Sequence, residues 1–132
     1  MNKVVVRFAD GRMLKGTAAD FFPGKDLFHV SPVGDPAGAG TVAVHVAELK
    51  AVFFVKDFAG NPEYRERLEP DALHPALGRR IKVVFNDGEV VEGTTTGYQP
   101  ARPGFFVEPA DPGSNNERCY VVAAATREVS LL

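Results

Sequence analysis

Residues 8–16 read FADGRMLKG and residues 85–93 read FNDGEVVEG, with the Phe, the Asp-Gly pair and the closing Gly at one spacing. The correspondence extends well beyond these two stretches. At an offset of 77, residues 3–55 align with 80–132 without a gap, and 13 of those 53 positions are identical. They are Val6/Val83, Phe8/Phe85, Asp10/Asp87, Gly11/Gly88, Gly16/Gly93, Thr17/Thr94, Pro23/Pro100, Phe28/Phe105, Val30/Val107, Pro32/Pro109, Val44/Val121, Ala47/Ala124 and Val52/Val129. Like-for-like pairs such as Val4/Ile81, Phe21/Tyr98 and Lys50/Arg127 add to them. A short shared motif would concentrate its matches in one place. These run the length of the alignment and fall on turn and apolar positions. The chain reads as a tandem duplication, with a first copy at 1–56, a linker at 57–78 and a second copy at 79–132.

Each copy reads as five strands. VVVRF alternates, with Val4, Val6 and Phe8 on one face and Val5 and Arg7 on the other. Asp10-Gly11 and Asp87-Gly88 are hairpin turns, the glycines supplying positive φ. A second strand follows with a Gly inside it, Gly16 or Gly93. An interior Gly weakens a strand unless the strand bends sharply or another backbone comes close; a bend that closes a small barrel accounts for its place in both copies. LFHVSP and GFFVEP are third strands, TVAVHV and RCYVVA fourth strands, AVFFV and EVSLL fifth strands.

A barrel of about 50 residues buries only about 60% of its unfolded surface and is marginal alone. Two packed together share a core. The unbroken apolar runs at 52–55 and 129–132 need cover on both faces. The fifth strands, or the faces beside them, are therefore expected to form the joint, making a pseudo-dimer in one chain. Residues 57–78 have no counterpart in the second copy; Asn61-Pro62 is an N-cap and first-turn pair for a short helix over 62–68.

Charge and composition narrow the function. The net charge of −2 divides as +2 over 1–56, −3 over 57–78 and −1 over 79–132. Nucleic-acid binders draw affinity from a basic excess, and here it is slight and confined to the first copy. No apolar run approaches the roughly 20 residues that cross a bilayer, and strand alternation from Lys3 leaves no room for a signal peptide. With Cys119 the lone cysteine, an internal disulfide and a thiolate metal site are both out. A cytoplasmic protein with no membrane partner is the expectation.

Catalysis needs a nucleophile or acid/base group with a partner that tunes it. His29, His45 and His74 are scattered without metal-ligand spacing, and Asp10 and Asp87 precede glycines as turn residues. There is no phosphate-binding glycine loop and no nucleophile elbow. No enzyme activity, no catalytic or metal-binding residue and no cofactor is expected. Cys119 reads as a small half-buried residue at the start of a strand.

The least regular stretch is 97–118, GYQPARPGFFVEPADPGSNNER, rich in Pro and Gly. Loops on rigid scaffolds carry function more often than cores do. Tyr98, Arg102, Phe105 and Phe106 offer aromatic and guanidinium surface, and Asn115, Asn116 and Arg118 offer directed hydrogen bonds. In the first copy Phe21, Phe22, Pro23 and Lys25 make a shorter matching feature, so Phe22 and Lys25 complete the candidate binding surface.

Five short bent strands with an early Asp-Gly hairpin resemble an SH3-like or Sm-like small barrel, so the fold class is all-β, with two tandem five-stranded small barrels. Val4-Val5-Val6, Asp10-Gly11 and Gly16 resemble the first Sm motif, and Ile81, Val83, Asp87-Gly88 and Gly93 repeat it. That resemblance implies rings that bind single-stranded RNA. The Asp and Asn expected over 22–28 are replaced by FPGKDLF, and no Arg-Gly precedes either fifth strand. Through AVFFVKDF, GRRIKVVFNDGE and RPGFFVEPADPGSNNERCYVV the whole chain is similar to a family of uncharacterised bacterial proteins carrying this tandem unit.

The leading expectation is a non-catalytic interaction module, regulatory or adaptor-like, with a protein partner. An exposed apolar patch bordered by Phe22, Tyr98 or Phe106 would favour it. An Sm-like RNA binder is the alternative and is less favoured; it requires Lys3, Arg7, Arg12, Lys15 and Lys25 to converge beside Phe21 or Phe22. A small-molecule sensor with a pocket between the barrels is the third. The chain is a monomer, as a pseudo-dimer, or a homodimer.

Overall fold

The computed structural model describes residues 2–34, 40–58, 78–109 and 115–132. The helix expected over 62–68, most of the linker and His74 lie outside these residues. The strands are β1 (Asn2–Phe8), β2 (Met13–Ala18), β3 (Leu27–Pro32), β4 (Val42–His45), β5 (Leu49–Val55), β6 (Arg79–Phe85), β7 (Val90–Thr95), β8 (Gly104–Pro109), β9 (Asn116–Val122) and β10 (Thr126–Leu131). Single 3₁₀ turns, Val46–Glu48 and Ala123–Ala125, form the corners before β5 and β10. The chain is all-β. Its strands make one antiparallel sheet in the order β10-β6-β7-β8-β9-β5-β1-β2-β3-β4.

Each half lays its strands in the order fifth, first, second, third, fourth, and the registers agree at the offset of 77. Val4 faces Gly16 as Ile81 faces Gly93, and Gly16 faces Pro32 as Gly93 faces Pro109. The bulge where the fifth strand meets the first recurs too, between Arg7 and Phe8 and between Thr126 and Glu128. Two separately closed barrels do not describe this hydrogen bonding. The sheet is open, with β4 and β10 at its edges.

One fifth strand forms the joint, but not with the other fifth strand. The two fifth strands do not meet: β5 pairs with β9, the fourth strand of the second half, through Val52 opposite Tyr120, Phe53 opposite Cys119 and Phe54 opposite Arg118. Because successive side chains in a strand point to opposite faces, with the phase shifted once by the bulge at Lys50, β5 feeds two cores at once. Leu49, Val52 and Phe54 join Val4, Val6, Phe28, Val30 and Tyr120. Ala51, Phe53 and Val55 join Ile81, Val83, Phe85, Phe105, Val107, Cys119 and Val121. Every residue of β5 is buried, which is why its sequence is apolar on both faces. On β10 the equivalent positions include exposed Arg127, Glu128 and Leu131, because an edge strand has cover on one side only. Cys119 is buried within β9 rather than half-buried at a strand start.

Lys50 fastens the seam. It is only 5% exposed, and its ammonium reaches from β5 to the second half's hairpin, 2.7 Å from Asp87 Oδ2 and in contact with the Glu89 carboxylate. The Phe85 ring lies beneath it at 4.7 Å. A lysine is seldom buried unless paired, and here two carboxylates and a ring face supply the pairing.

The glycine at the centre of each second strand is there for close approach rather than for a bend. A methyl on Gly16 would overlap the Ser31 carbonyl, and one on Gly93 would overlap the Glu108 carbonyl. In each hairpin only the Gly takes the left-handed conformation, Gly11 at φ 99° and Gly88 at φ 94°. The preceding Asp acts through its side chain: Asp10 Oδ1 accepts the Arg12 amide at 3.0 Å and Asp87 Oδ1 the Glu89 amide at 2.9 Å.

A candidate binding surface on the seam

The loop 19–26 leaves β2 and folds back over the joint. Phe21 anchors it, with ring centroids 5.0 Å from Phe28, 5.4 Å from Phe54, 5.1 Å from Tyr120 and 6.2 Å from Phe106. The first two belong to the first half, the last two to the second. Edge-to-face packing of this kind contributes about 0.5–1.5 kcal/mol per pair beyond area burial. Phe21 was not among the expected surface residues; its equivalence to Tyr98 marked it in the sequence, but its role depends on which strands meet at the seam.

Around this aromatic block stand four of the expected residues. Phe22 is 56% exposed, and Lys25 Nζ lies 5.4 Å from its ring centroid. Arg118, exposed on β9, spreads its guanidinium over two rings, 4.5 Å from Phe54 and 4.6 Å from Phe106. A cation on a ring face at a solvated site gains about 0.5–1 kcal/mol. Phe106 is half-buried against the first core.

The remaining residues have other places. Phe105, at 4% exposure, is in the second core, so the surface expected of that ring is not there; Tyr98 packs edge-on against it at 4.7 Å but stays part-exposed and lines a separate cleft with Arg79, Thr95 and Leu131. The alternation of β8 decides this, sending Phe105 and Phe106 into opposite cores. Asn115 is a structural clamp: its Nδ2 donates to the Asp57 carbonyl at 2.8 Å and its Oδ1 accepts the Asp57 amide at 3.0 Å. Asn116 pairs with Val55 in the ladder. Arg102 is exposed in the β7–β8 turn, its Nε bonded to Gln99 Oε1 at 3.0 Å.

Tyr120 ties the two sides together. Burial pushes its phenol above the usual range, against the Gly24 amide and the Arg102 charge, which lower it. Its ring lies so close to the β8 backbone that a methyl on Gly104 would overlap it. Beside it runs a cleft of about 230 Å³ lined by Gly24, Lys25 and Asp26 of one loop, Pro103 of the other, and both 3₁₀ corners.

Of the basic residues that an RNA surface would need beside Phe22, Lys25 is there and the other four have other contacts. Lys3 and Lys15 donate to the Lys56 and Phe58 carbonyls, and Arg12 pairs with Asp10 at 2.7 Å at the hairpin tip. Arg7 lies near enough to Asp87 to help lower its pKa. His29 has a carboxylate partner, its Nδ1 2.7 Å from Asp20 Oδ2. Hydrogen bonds from the His29 side chain and amide hold the Asp20 carboxyl below its ordinary value. Among the described residues no three His, Cys, Asp or Glu side chains gather as a metal site, and no helix is long and apolar enough to cross a membrane.

An open all-β sheet with an aromatic and cationic seam defines the structural class. The chain belongs to DUF6982, a family of unknown function whose model matches residues 1–132. No curated protein and no solved structure matches it.

Proposed function

We propose that this chain is a non-catalytic interaction module, a regulatory or adaptor protein of the bacterial cytoplasm, and that its seam surface receives a protein partner. The sheet reads as two Sm-like or SH3-like small-barrel units joined by tandem duplication; the 13 identities at the offset of 77 and the repeated strand order support that reading. One observation carries the functional proposal. Phe21 of the first half rests on Phe106 and Tyr120 of the second, so the exposed Phe22 and Lys25 share a neighbourhood with Arg102 and Arg118. Exposed aromatic and arginine side chains on a rigid framework are the residue types that dominate protein interfaces.

The test is affinity capture from a bacterial lysate with and without nuclease. A protein that survives nuclease treatment and is lost with both Phe22→Ala and Arg118→Ala is the expected result. RNA retained in a salt-sensitive manner would replace the proposal with the Sm-like RNA-binding alternative.

A further inference from the structure

We infer that the seam cleft is the anchor pocket of this surface: it takes one apolar side chain of a partner polypeptide, whose neighbouring acidic residue pairs with Lys25 and Arg102. The inference rests on the interaction-module reading and names the partner's chemistry.

The cleft is built from matching parts of the two halves. Ala47 and Ala124 occupy equivalent corner positions on its floor, both exposed. Each corner is fastened to its own loop by an equivalent bond, the Val46 amide to the Asp26 carbonyl and the Ala123 amide to the Pro103 carbonyl, both 2.9 Å. Tyr120, 2% exposed, closes one side. The framework is therefore held by backbone bonds and a packed ring, and its open floor is methyl groups. A volume of about 230 Å³ falls below the ~300–1,000 Å³ of sites that enclose a whole small ligand. One side chain of a larger molecule suits it better.

The charge at the rim selects the neighbour. Lys25 and Arg102 are equivalent at the offset of 77, and each sits in the same turn, its amide bonded at 3.1 Å to the carbonyl three residues back, Phe22 or Gln99. Neither has a carboxylate partner among the described residues. Lys25 and Asp26 line the cleft, and Arg102 stands next to its Pro103 and close enough to Tyr120 for its charge to act there, so two cations to one carboxylate make the rim complementary to an acid. With its Nε held by Gln99, Arg102 keeps further N–H donors for a carboxylate.

The test is selection of a phage-displayed random 12-residue peptide library on the full-length chain. Enriched peptides should place an apolar residue beside Asp or Glu. A synthetic representative should lose at least tenfold in affinity when Ala124→Phe fills the floor, and again in Lys25→Glu/Arg102→Glu, with near-ultraviolet circular dichroism unchanged. Peptides without an acid, or peptides that bind both cleft variants as well as wild type while losing affinity in Phe22→Ala, would overturn the cleft and leave the interaction module standing. A library that yields no binder overturns both.

Discussion

The ammonium of Lys50, on the strand that ends the first half, lies 2.7 Å from the carboxylate of Asp87, in the hairpin that opens the second. The equivalent position of the first hairpin, Asp10, is instead paired with Arg12 of its own turn, 2.7 Å away. The difference lies at one pair of equivalent positions, Glu89 and Arg12. The second hairpin carries a second acid, which holds the lysine of the other half. The first carries a base, which satisfies its own aspartate. The latch is built once, at the seam.

Removing both acids leaves Lys50 buried without a counter-charge, whereas removing the lysine leaves two carboxylates that water already reaches. Asp87→Ala/Glu89→Ala should therefore cost about 1–2 kcal/mol. That lies at the low end for a broken buried pair because the acids are half exposed. Lys50→Met, which keeps the packed stem, should cost less than about 1 kcal/mol. Urea unfolding of the three proteins checks the order, and equal losses would show that the pairing itself, rather than the cost of leaving an ammonium unpaired, fastens the halves.

The same pair sets an acid limit. Hydrogen bonds from Lys50 and from the Glu89 amide lower Asp87 below its ordinary 3.8. A carboxylate lowered on folding adds stability that is complete above the unfolded value and lost as pH falls through the folded one. Wild type should thus exceed Asp87→Asn by a constant margin from pH 7 to pH 5, a margin that shrinks below pH 3.8. Asp20, lowered chiefly by the His29 side chain, should behave in the same direction. Urea midpoints across that range read both out.

Gly16→Ala and Gly93→Ala should each cost about 1–3 kcal/mol, because the added methyl meets a backbone carbonyl of the neighbouring strand and the ladder must shift. Gly11→Ala meets no atom within 4 Å and pays only for its φ of 99°, about 1–2 kcal/mol. Thermal unfolding with a change of strand register, seen by amide exchange at Ser31 or Glu108, would distinguish the two mechanisms.

Phe21 and Phe22 are neighbours with opposite duties. Phe21→Ala removes a ring that touches four others and should cost about 2 kcal/mol or more. Phe22→Ala, at an exposed site, should change stability by less than about 0.5 kcal/mol while weakening partner capture. A stability loss in Phe22→Ala equal to that in Phe21→Ala would assign both rings to the core.

Much of the fold was legible because the repeat doubled every signal. Asp-Gly twice, an interior Gly twice and Pro-ended third strands twice placed the hairpins and the β8 bounds at Gly104 and Pro109. What could not be read was which strand of one half meets which strand of the other. Both fifth strands looked apolar, yet only β5 is covered on both sides, and the partner is β9, whose Arg118 and Asn116 do not advertise a buried seam. The site followed suit. Phe22, Lys25, Arg102, Phe106 and Arg118 have places on or beside the seam, but Phe105 and Asn115 looked equally eligible and are structural. Hydrogen-bonding capacity and aromatic character mark candidates, and only the pleat decides which face they serve.

A strand buried on both faces by two different halves also limits how this gene can be rearranged. The repeat boundary near residue 57 looks like a place to cut, to splice in another domain or to let one copy drift alone. Yet β5 severed from β9 would expose Phe53 and Val55 and an unpaired edge, an invitation to aggregate. Neither half is thus a portable part: a substitution at the seam in one is felt by the packing of the other.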